Sequence, residues 1–336
     1  MSEDSSKKEP PQGELPPSET LEPGLYILAT PLGNLGDLST RAVKILSASD
    51  LIASEDTRRT LKLLNYFKIS RPLVSYREQN HNIIWPRLEK TLSAEKVVTL
   101  VSDAGAPVIS DPGAFLIQTA RKKGFRVIPV PGPSAVITAL MASGFYTPAF
   151  TFGGFLPNRT KKRQEYLRLF VELPHPVVFF ESPFRLGQAL LDFVLVFGPH
   201  REAMLCREMT KFHEEYLSGS LAELALEVET HPRKGEVTIV VSGVASEVGS
   251  HVVSGHSKME HKILPLAPGS GTGKEILENS PKKPFPEKLL QEKLLQEKLL
   301  NDPRPLKVIA KDWEAELEIN KKDLYQLLLK LRNKES

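Results

Sequence analysis

The stretch Ser102-Asp-Ala-Gly-Ala-Pro-Val-Ile-Ser-Asp-Pro-Gly113 follows directly on the apolar run 97–102, and that junction decides the fold. A run of Val, Thr and Leu without polar alternation suits a strand covered on both faces, the habit of parallel sheets. Glycine and proline then fix tight turns, with backbone N–H and C=O groups aimed into whatever crevice the strand end faces.

The same grammar recurs in both directions. Apolar runs at 25–29, 50–54, 126–130, 176–180, 203–206 and 237–241 read as further strands. Helical patterns at 39–47, 57–67, 114–122 and 134–141 lie between the early ones. Such alternation implies α/β architecture with right-handed crossovers. Loops resembling the first follow other strands: Thr30-Pro-Leu-Gly-Asn-Leu-Gly-Asp37, Glu55-Asp-Thr-Arg58 and Pro131-Gly-Pro-Ser-Ala135. One such loop is turn punctuation. Four of them at strand ends, with acids interleaved, predict a ligand site, because these ends converge on the crevice where α/β proteins bind ligands.

Gly, Pro and aromatic residues cluster at 144–157 and place a domain boundary there. The expectation is one α/β domain over 24–143 and a second over 144–243. Residues 1–23, rich in Pro, Ser, Glu and Lys, read as a disordered leader. Residues 244–303 read as a low-complexity linker holding the repeat Glu287-Lys-Leu-Leu-Gln, Glu292-Lys-Leu-Leu-Gln, Glu297-Lys-Leu-Leu. A five-residue period smears leucines around a helix. Leu324, Leu327, Leu328 and Leu331 recur at helical spacing and predict a helical appendix over 304–336.

Composition narrows the function. A net charge of +3 leaves any nucleic-acid footprint to local clusters. A single cysteine, Cys206, excludes an intrachain disulfide and a thiolate metal cluster and fits a reducing cytoplasm. No stretch approaches the roughly 18 apolar residues of a membrane span, and no signal-peptide core opens the chain. The eight histidines show no metal-ligand spacing, so no metal is expected. Pro268-Gly-Ser-Gly-Thr-Gly-Lys274-Glu275 imitates a P-loop but has Pro where the first Gly belongs and Glu where Ser or Thr belongs. Neither a nucleophile elbow nor a dinucleotide fingerprint is present.

The four loops, with Thr151-Phe-Gly-Gly-Phe-Leu-Pro157, Glu181-Ser-Pro-Phe-Arg185, Arg207-Glu-Met-Thr-Lys211 and Lys234-Gly-Glu-Val-Thr-Ile239, closely resemble the tetrapyrrole methylase superfamily, the class III methyltransferases. Within it, the Ser-Asp-Ala-Gly-x-Pro-x-Ile-Ser-Asp-Pro-Gly string and Glu-Asp-Thr-Arg match the branch that modifies ribosomal RNA. The porphyrin-modifying and diphthine-making relatives carry a shorter Gly-Asp-Pro type of loop. The resemblance spans about 24–243, and the two tails depart from the family pattern.

The resemblance implies two α/β domains with a cofactor cleft between them, a homodimer, and S-adenosyl-L-methionine as cofactor. Its contacts would be Leu32, Asp103, Ala106, Ser134 and Ala135, then Phe180, Met209 and Thr238 of the second domain. That cofactor presents a sulfonium, an ammonium and a carboxylate, so Asp103 and loop amides can each find a partner. The alternative for Asp103 is to cap the following turn.

The implied reaction is 2′-O-methylation of a cytidine ribose in the decoding region of 16S rRNA, on the 30S subunit in the cytoplasm. A ribose hydroxyl benefits from a positioned base. Asp37, Glu55, Asp56 and Glu181 are the candidates, with Glu55 and Asp56 favoured; Glu55 could instead pair with Arg58 or Arg59. For RNA, Arg159, Lys161, Lys162 and Arg163, with Arg168 nearby, form a local basic cluster diluted by Glu165, and Arg58 and Arg185 join it as expected contacts. A solvated helix start is the alternative. Two other functions stay in view: a small-molecule methyltransferase acting on a tetrapyrrole, and a non-catalytic RNA-binding protein.

Overall fold

The computed structural model describes residues 21–145, 148–244, 295, 299, 304–317, 324–326 and 328–329. Contacts divide the chain into two compact units after Ala135, one helix earlier than the boundary read from the sequence.

The first unit is built on β1 (Gly24–Leu28), β2 (Leu51–Ser54), β3 (Leu73–Ser75), β4 (Val97–Val101) and β5 (Val127–Val130). Their order is β3-β2-β4-β1-β5, and every pairing is parallel. Helices α1 (Thr40–Ala48), α2 (Thr57–Tyr66), α3 (His81–Ser93) and α4 (Ala114–Lys122) connect them. Alternate side chains along a strand point to opposite faces, and here both faces are covered. Leu25, Leu51, Ala53, Val98 and Leu100 pack on Trp85, Leu88 and Leu116 of α3 and α4. Tyr26, Leu28, Ile52, Val97 and Val101 pack on Ala42, Ile45 and Leu64 of α1 and α2. That double burial is why these strands read as unbroken apolar runs.

The second unit holds β6 (Thr151–Phe155), β7 (Val177–Glu181), β8 (Glu202–Arg207), β9 (Glu215–Ser220) and β10 (Val237–Val241), in the order β6-β7-β10-β8-β9. Only β6 and β7 pair in parallel; the other three pairings are antiparallel. The domain is α/β as expected, but its sheet is mixed. Helices α5 (Ala135–Ser143), α6 (Thr160–Leu167), α7 (Leu186–Phe197) and α8 (Leu221–Thr230) belong to this part of the chain. Its core runs through Phe170, Phe179, Phe193 and Phe197, rings that meet edge-on or tilted at 5.2–5.8 Å. Strand β6 shows why Thr151-Phe-Gly-Gly-Phe155 escapes a propensity reading. Its register shifts between Phe152 and Gly154, and a Cβ on Gly153 would overlap the Phe179 ring.

Two tail expectations change. Leu21, assigned to the leader, packs on the first unit, while Glu22 accepts a hydrogen bond from the Tyr26 hydroxyl at 2.9 Å and pairs with Arg126. Leu295 and Leu299, assigned to the linker, are helical and buried with Leu306, Ile309, Trp313, Leu324 and Leu328 around α9 (Leu306–Leu317). The doubled leucine supplies pairs four apart even though the repeat itself has period five. Residues 1–20, Leu327, Leu331, the P-loop imitation and the rest of the repeat lie outside the described residues. Among the described residues no helix is long and apolar enough to cross a membrane.

Candidate cofactor and substrate site

Strands β4, β1 and β5 are neighbours and run in one direction, so the loops that follow them leave one edge of the sheet. Those loops carry Asp103 and Ala106, Leu32, and Ser134 and Ala135, all five cofactor contacts expected in the first unit. The first two loops are laced together. Thr30 N–H donates to Gly105 O and Gly105 N–H to Thr30 O, both at 2.9 Å. The Thr30 hydroxyl donates to Ser102 O at 3.0 Å, and the Ser102 hydroxyl to Gly105 O at 2.9 Å. Gly105 sits at φ +78°, and a Cβ there would come within 3.2 Å of Leu32 Cδ2. A pocket of about 190 Å³ opens beside this junction, lined by Thr30, Pro31, Gly33, Arg59, Ser102 and Asp103, among others.

Asp103 holds the start of α2. Its Oδ1 accepts the Asp56 N–H at 3.0 Å, and Arg59 Nε lies 3.5 Å from Oδ2. Asp56 in turn caps α2, accepting the Arg58 N–H at 2.9 Å, and takes Arg58 Nε and Nη2 at 3.0 and 2.7 Å. These hydrogen bonds from Arg58, side chain first and backbone second, hold the Asp56 carboxyl well below the usual carboxylate range. A carboxylate so held is a poor proton acceptor. Asp56 is therefore placed as a helix cap, a role that competes with that of a base.

The other candidates are placed differently. Asp37 is exposed at the end of a 3-10 turn. Glu55 is half-buried; Arg58 and Arg59, its alternative partners, bind Asp56 and Asp103. Asp111 is the acid that the sequence reading missed. Burial first, then the negative charges of Glu55 and Asp103, push its carboxyl up to about 6, against the neighbouring Ser102 hydroxyl, which pulls it down. Its Asp-Pro-Gly setting reads as turn punctuation, and only the folded loop brings it near Glu55. The loop is strained: Val108 and Ser110 have φ of 79° and 66°, a region costly for a β-branched residue. Its far end is pinned by Glu78, whose Oε1 accepts the Gly113 N–H at 2.9 Å.

In the second unit, Thr238 lies opposite Phe180 across β10 and β7, and Met209 follows the end of β8. Thr238 and Met209 are buried. Phe180 meets Phe152 and Phe155 edge-on at 4.9 and 5.3 Å. Glu181 is buried; its Oε1 accepts the Ser182 N–H and Arg185 Nη2, each at 2.5 Å, while Oε2 has no partner among the described residues. Arg185 also bonds Asn158.

The basic cluster divides. Arg159, Lys161 and Lys162 are exposed at the start of α6. Arg163 is only 1% exposed and pairs with buried Asp192. As an RNA contact it is corrected: a helix repeats every 3.6 residues, which turns this member of the run into the core.

A family model described as Tetrapyrrole (Corrin/Porphyrin) Methylases matches residues 24–225. Proteins named Ribosomal RNA small subunit methyltransferase I from Xylella fastidiosa (strain Temecula1 / ATCC 700964) and Thermotoga maritima are each 44% identical to the chain. The matches cover 69% and 65% of this chain and 85% and 98% of those relatives. Among solved structures, a diphthine synthase superposes with a TM-score of 0.51 at 14% identity, covering 67% of this chain and 91% of that one, a likeness of fold alone. With its two sheets, its strand-end loops and a family match over 24–225, the chain belongs to the tetrapyrrole methylase family, whose members use S-adenosyl-L-methionine.

Proposed function

We propose that the chain is a small-subunit ribosomal RNA methyltransferase that methylates the ribose 2′-hydroxyl of a cytidine in the decoding region of 16S rRNA, as a cytoplasmic homodimer. The names of its relatives support the RNA class. The observation that carries the chemistry is the 103–113 loop, which sets Asp103 beside the pocket and Asp111 within the field of Glu55.

The site fits the family's cofactor. The glycine cradle at Gly105 leaves room beside Leu32, and Asp103 offers a carboxylate to a cationic group. Leu32, Asp103, Ala106, Ser134, Ala135, Phe180, Met209 and Thr238 are the residues proposed to hold it. When bound, S-adenosyl-L-methionine supplies the sulfonium methyl group. The chain's part is to align the hydroxyl for in-line displacement and to receive its proton. Asp111 is assigned as the base, since a group titrating near neutrality balances ionised fraction against proton affinity. Glu55 raises the proton affinity of Asp111. Exposed Arg159, Lys161 and Lys162 are assigned to RNA phosphates, and Arg58, exposed at the start of α2, to the same role.

The test is to incubate the purified chain with 30S particles and labelled S-adenosyl-L-methionine, then map the label by nuclease digestion and mass spectrometry. A methyl group on a cytidine ribose supports the reading. Label on a base, or on a supplied tetrapyrrole but not on RNA, would overturn it.

A further inference from the structure

The registers of the second sheet align three loops. Phe155, the last residue of β6, pairs with Phe180; Glu181 pairs with Val237; and Val237 pairs with Arg207 at the end of β8. Strands β6, β7 and β8 therefore run in one direction, and the loops that follow them leave one edge. That edge spans three strand spacings, about 14 Å. Each loop displays a phenylalanine: Phe155 is 59% exposed, Phe184 95% and Phe212 90%.

These rings are held out by braced backbone. Glu181 ties both Ser182 N–H and the Arg185 side chain, and Arg185 N–H donates to Ser182 O at 3.0 Å, closing the turn that carries Phe184. In the next loop Lys211 Nζ bridges Glu208 and Glu236 at 2.9 and 3.0 Å, and Thr210 N–H donates to Glu214 at 2.7 Å. Glu208 and Thr210 take φ of 49° and 66°, so the loop that carries Phe212 stores strain.

The company of the rings indicates the partner. In 155–162, 181–185 and 207–214 the exposed large apolar residues are these three phenylalanines, with no aliphatic among them. Arg159, Lys161 and Lys162 follow Phe155 directly and are exposed. Three acids near this edge are engaged, Glu181 by Arg185, Glu208 by Lys211, and Glu215 by Arg207 and Arg233, while Glu165 on α6 and Glu214 are exposed. Flat aromatic faces beside exposed cations form the surface on which single-stranded nucleic acid stacks.

We propose that Phe155, Phe184 and Phe212 form a platform on which unpaired bases of the RNA substrate stack. This rests on the RNA reading above and assigns the base contacts that the phosphate-binding cluster cannot supply. The platform favours an unpaired segment over a duplex, whose bases are already stacked.

The test compares wild type with the Phe184→Ala/Phe212→Ala double variant. Its probes are 30S particles, a single-stranded 16S fragment, and that fragment annealed to its complement. Affinity for the single strand should fall on the order of tenfold for each ring removed. The salt slope should not change, because the rings neutralise no phosphate. Melting temperature, affinity for S-adenosyl-L-methionine and duplex affinity should stay at wild-type values. Phe184→Trp/Phe212→Trp should restore binding, with its emission quenched by the single strand. Unchanged single-strand affinity in the alanine variant overturns the platform while leaving the RNA reading intact. If that variant also sediments as a smaller species, the rings are instead an interface between copies. A wild-type chain that binds neither fragment nor 30S particles overturns both readings.

Discussion

Arg163 and Asp192 form a buried ion pair between α6 and α7, with Nε 2.5 Å from Oδ2, while Gln164 Nε2 donates to the other carboxylate oxygen at 2.6 Å. Arg163 also donates to Pro157 O and Asn158 O, both at 3.4 Å, so it ties the end of the 156–158 segment to the helices. Breaking one partner of such a pair leaves an uncompensated buried charge. Arg163→Ala should therefore lower stability by about 3–5 kcal/mol, read from denaturant unfolding. A melting curve that superposes on wild type would show that the pair contributes little.

Arg159→Ala/Lys161→Ala/Lys162→Ala should behave in the opposite way. These side chains are exposed, so the melting temperature should stay within a degree or two of wild type. Binding to 30S particles should weaken, and its salt dependence should flatten by about 0.7 to 0.9 in the logarithmic slope for each phosphate no longer neutralised. Filter binding at several salt concentrations measures this, and an unaltered slope would leave the three as a solvated helix start.

Asp111 ties activity to stability. An unfolded aspartate titrates near 3.9, whereas this carboxyl is pushed up to about 6 in the folded chain. The folded state binds the proton more tightly, so its contribution is fully present below the unfolded value and is lost as pH rises through about 6. Asp111→Asn should melt higher than wild type at neutral pH, and the gap should close toward pH 4. The same substitution should cut kcat by about 10²- to 10⁴-fold. Wild-type kcat should fall as pH drops through about 6. Full activity in Asp111→Asn would move the base to another residue.

Asp103 serves both α2 and the pocket, and two substitutions separate these roles. Asp103→Asn keeps an acceptor for the Asp56 N–H but loses the charge opposite Arg59. It should melt close to wild type while binding S-adenosyl-L-methionine at least about tenfold more weakly, the effect of losing one charge-assisted hydrogen bond. Asp103→Ala also leaves the Asp56 N–H without that acceptor and should cost a further 1–2 kcal/mol or so of stability. Calorimetry beside thermal melts distinguishes them; wild-type cofactor affinity in Asp103→Asn would leave Asp103 with a structural role only.

The first unit was largely legible. Its parallel strands are buried on both faces, so Val97–Val101 and Gly24–Leu28 announce themselves as apolar runs, and Gly- and Pro-rich loops mark their ends. Strand β3, with three residues, was too short to register, and β9 sits at a sheet edge where Glu215-Tyr-Leu-Ser-Gly-Ser220 carries no apolar run.

The sequence by itself determined that Gly- and Pro-rich loops follow the strands, since local composition fixes turns and a strand buried on both faces reads as an apolar run. It also determined the family, because the loop strings are long and specific. Tertiary structure alone decided the chemistry of single charges. Asp56 and Asp111 are both aspartates in loops at strand ends, yet one is clamped by Arg58 and the other lifted by burial and by Glu55. Lys162 and Arg163 are adjacent cations, yet one is exposed and the other pairs in the core. The clamp on Asp56 is local, but Asp111 and Arg163 depend on neighbours brought from distant positions, and a linear pattern does not encode those distances.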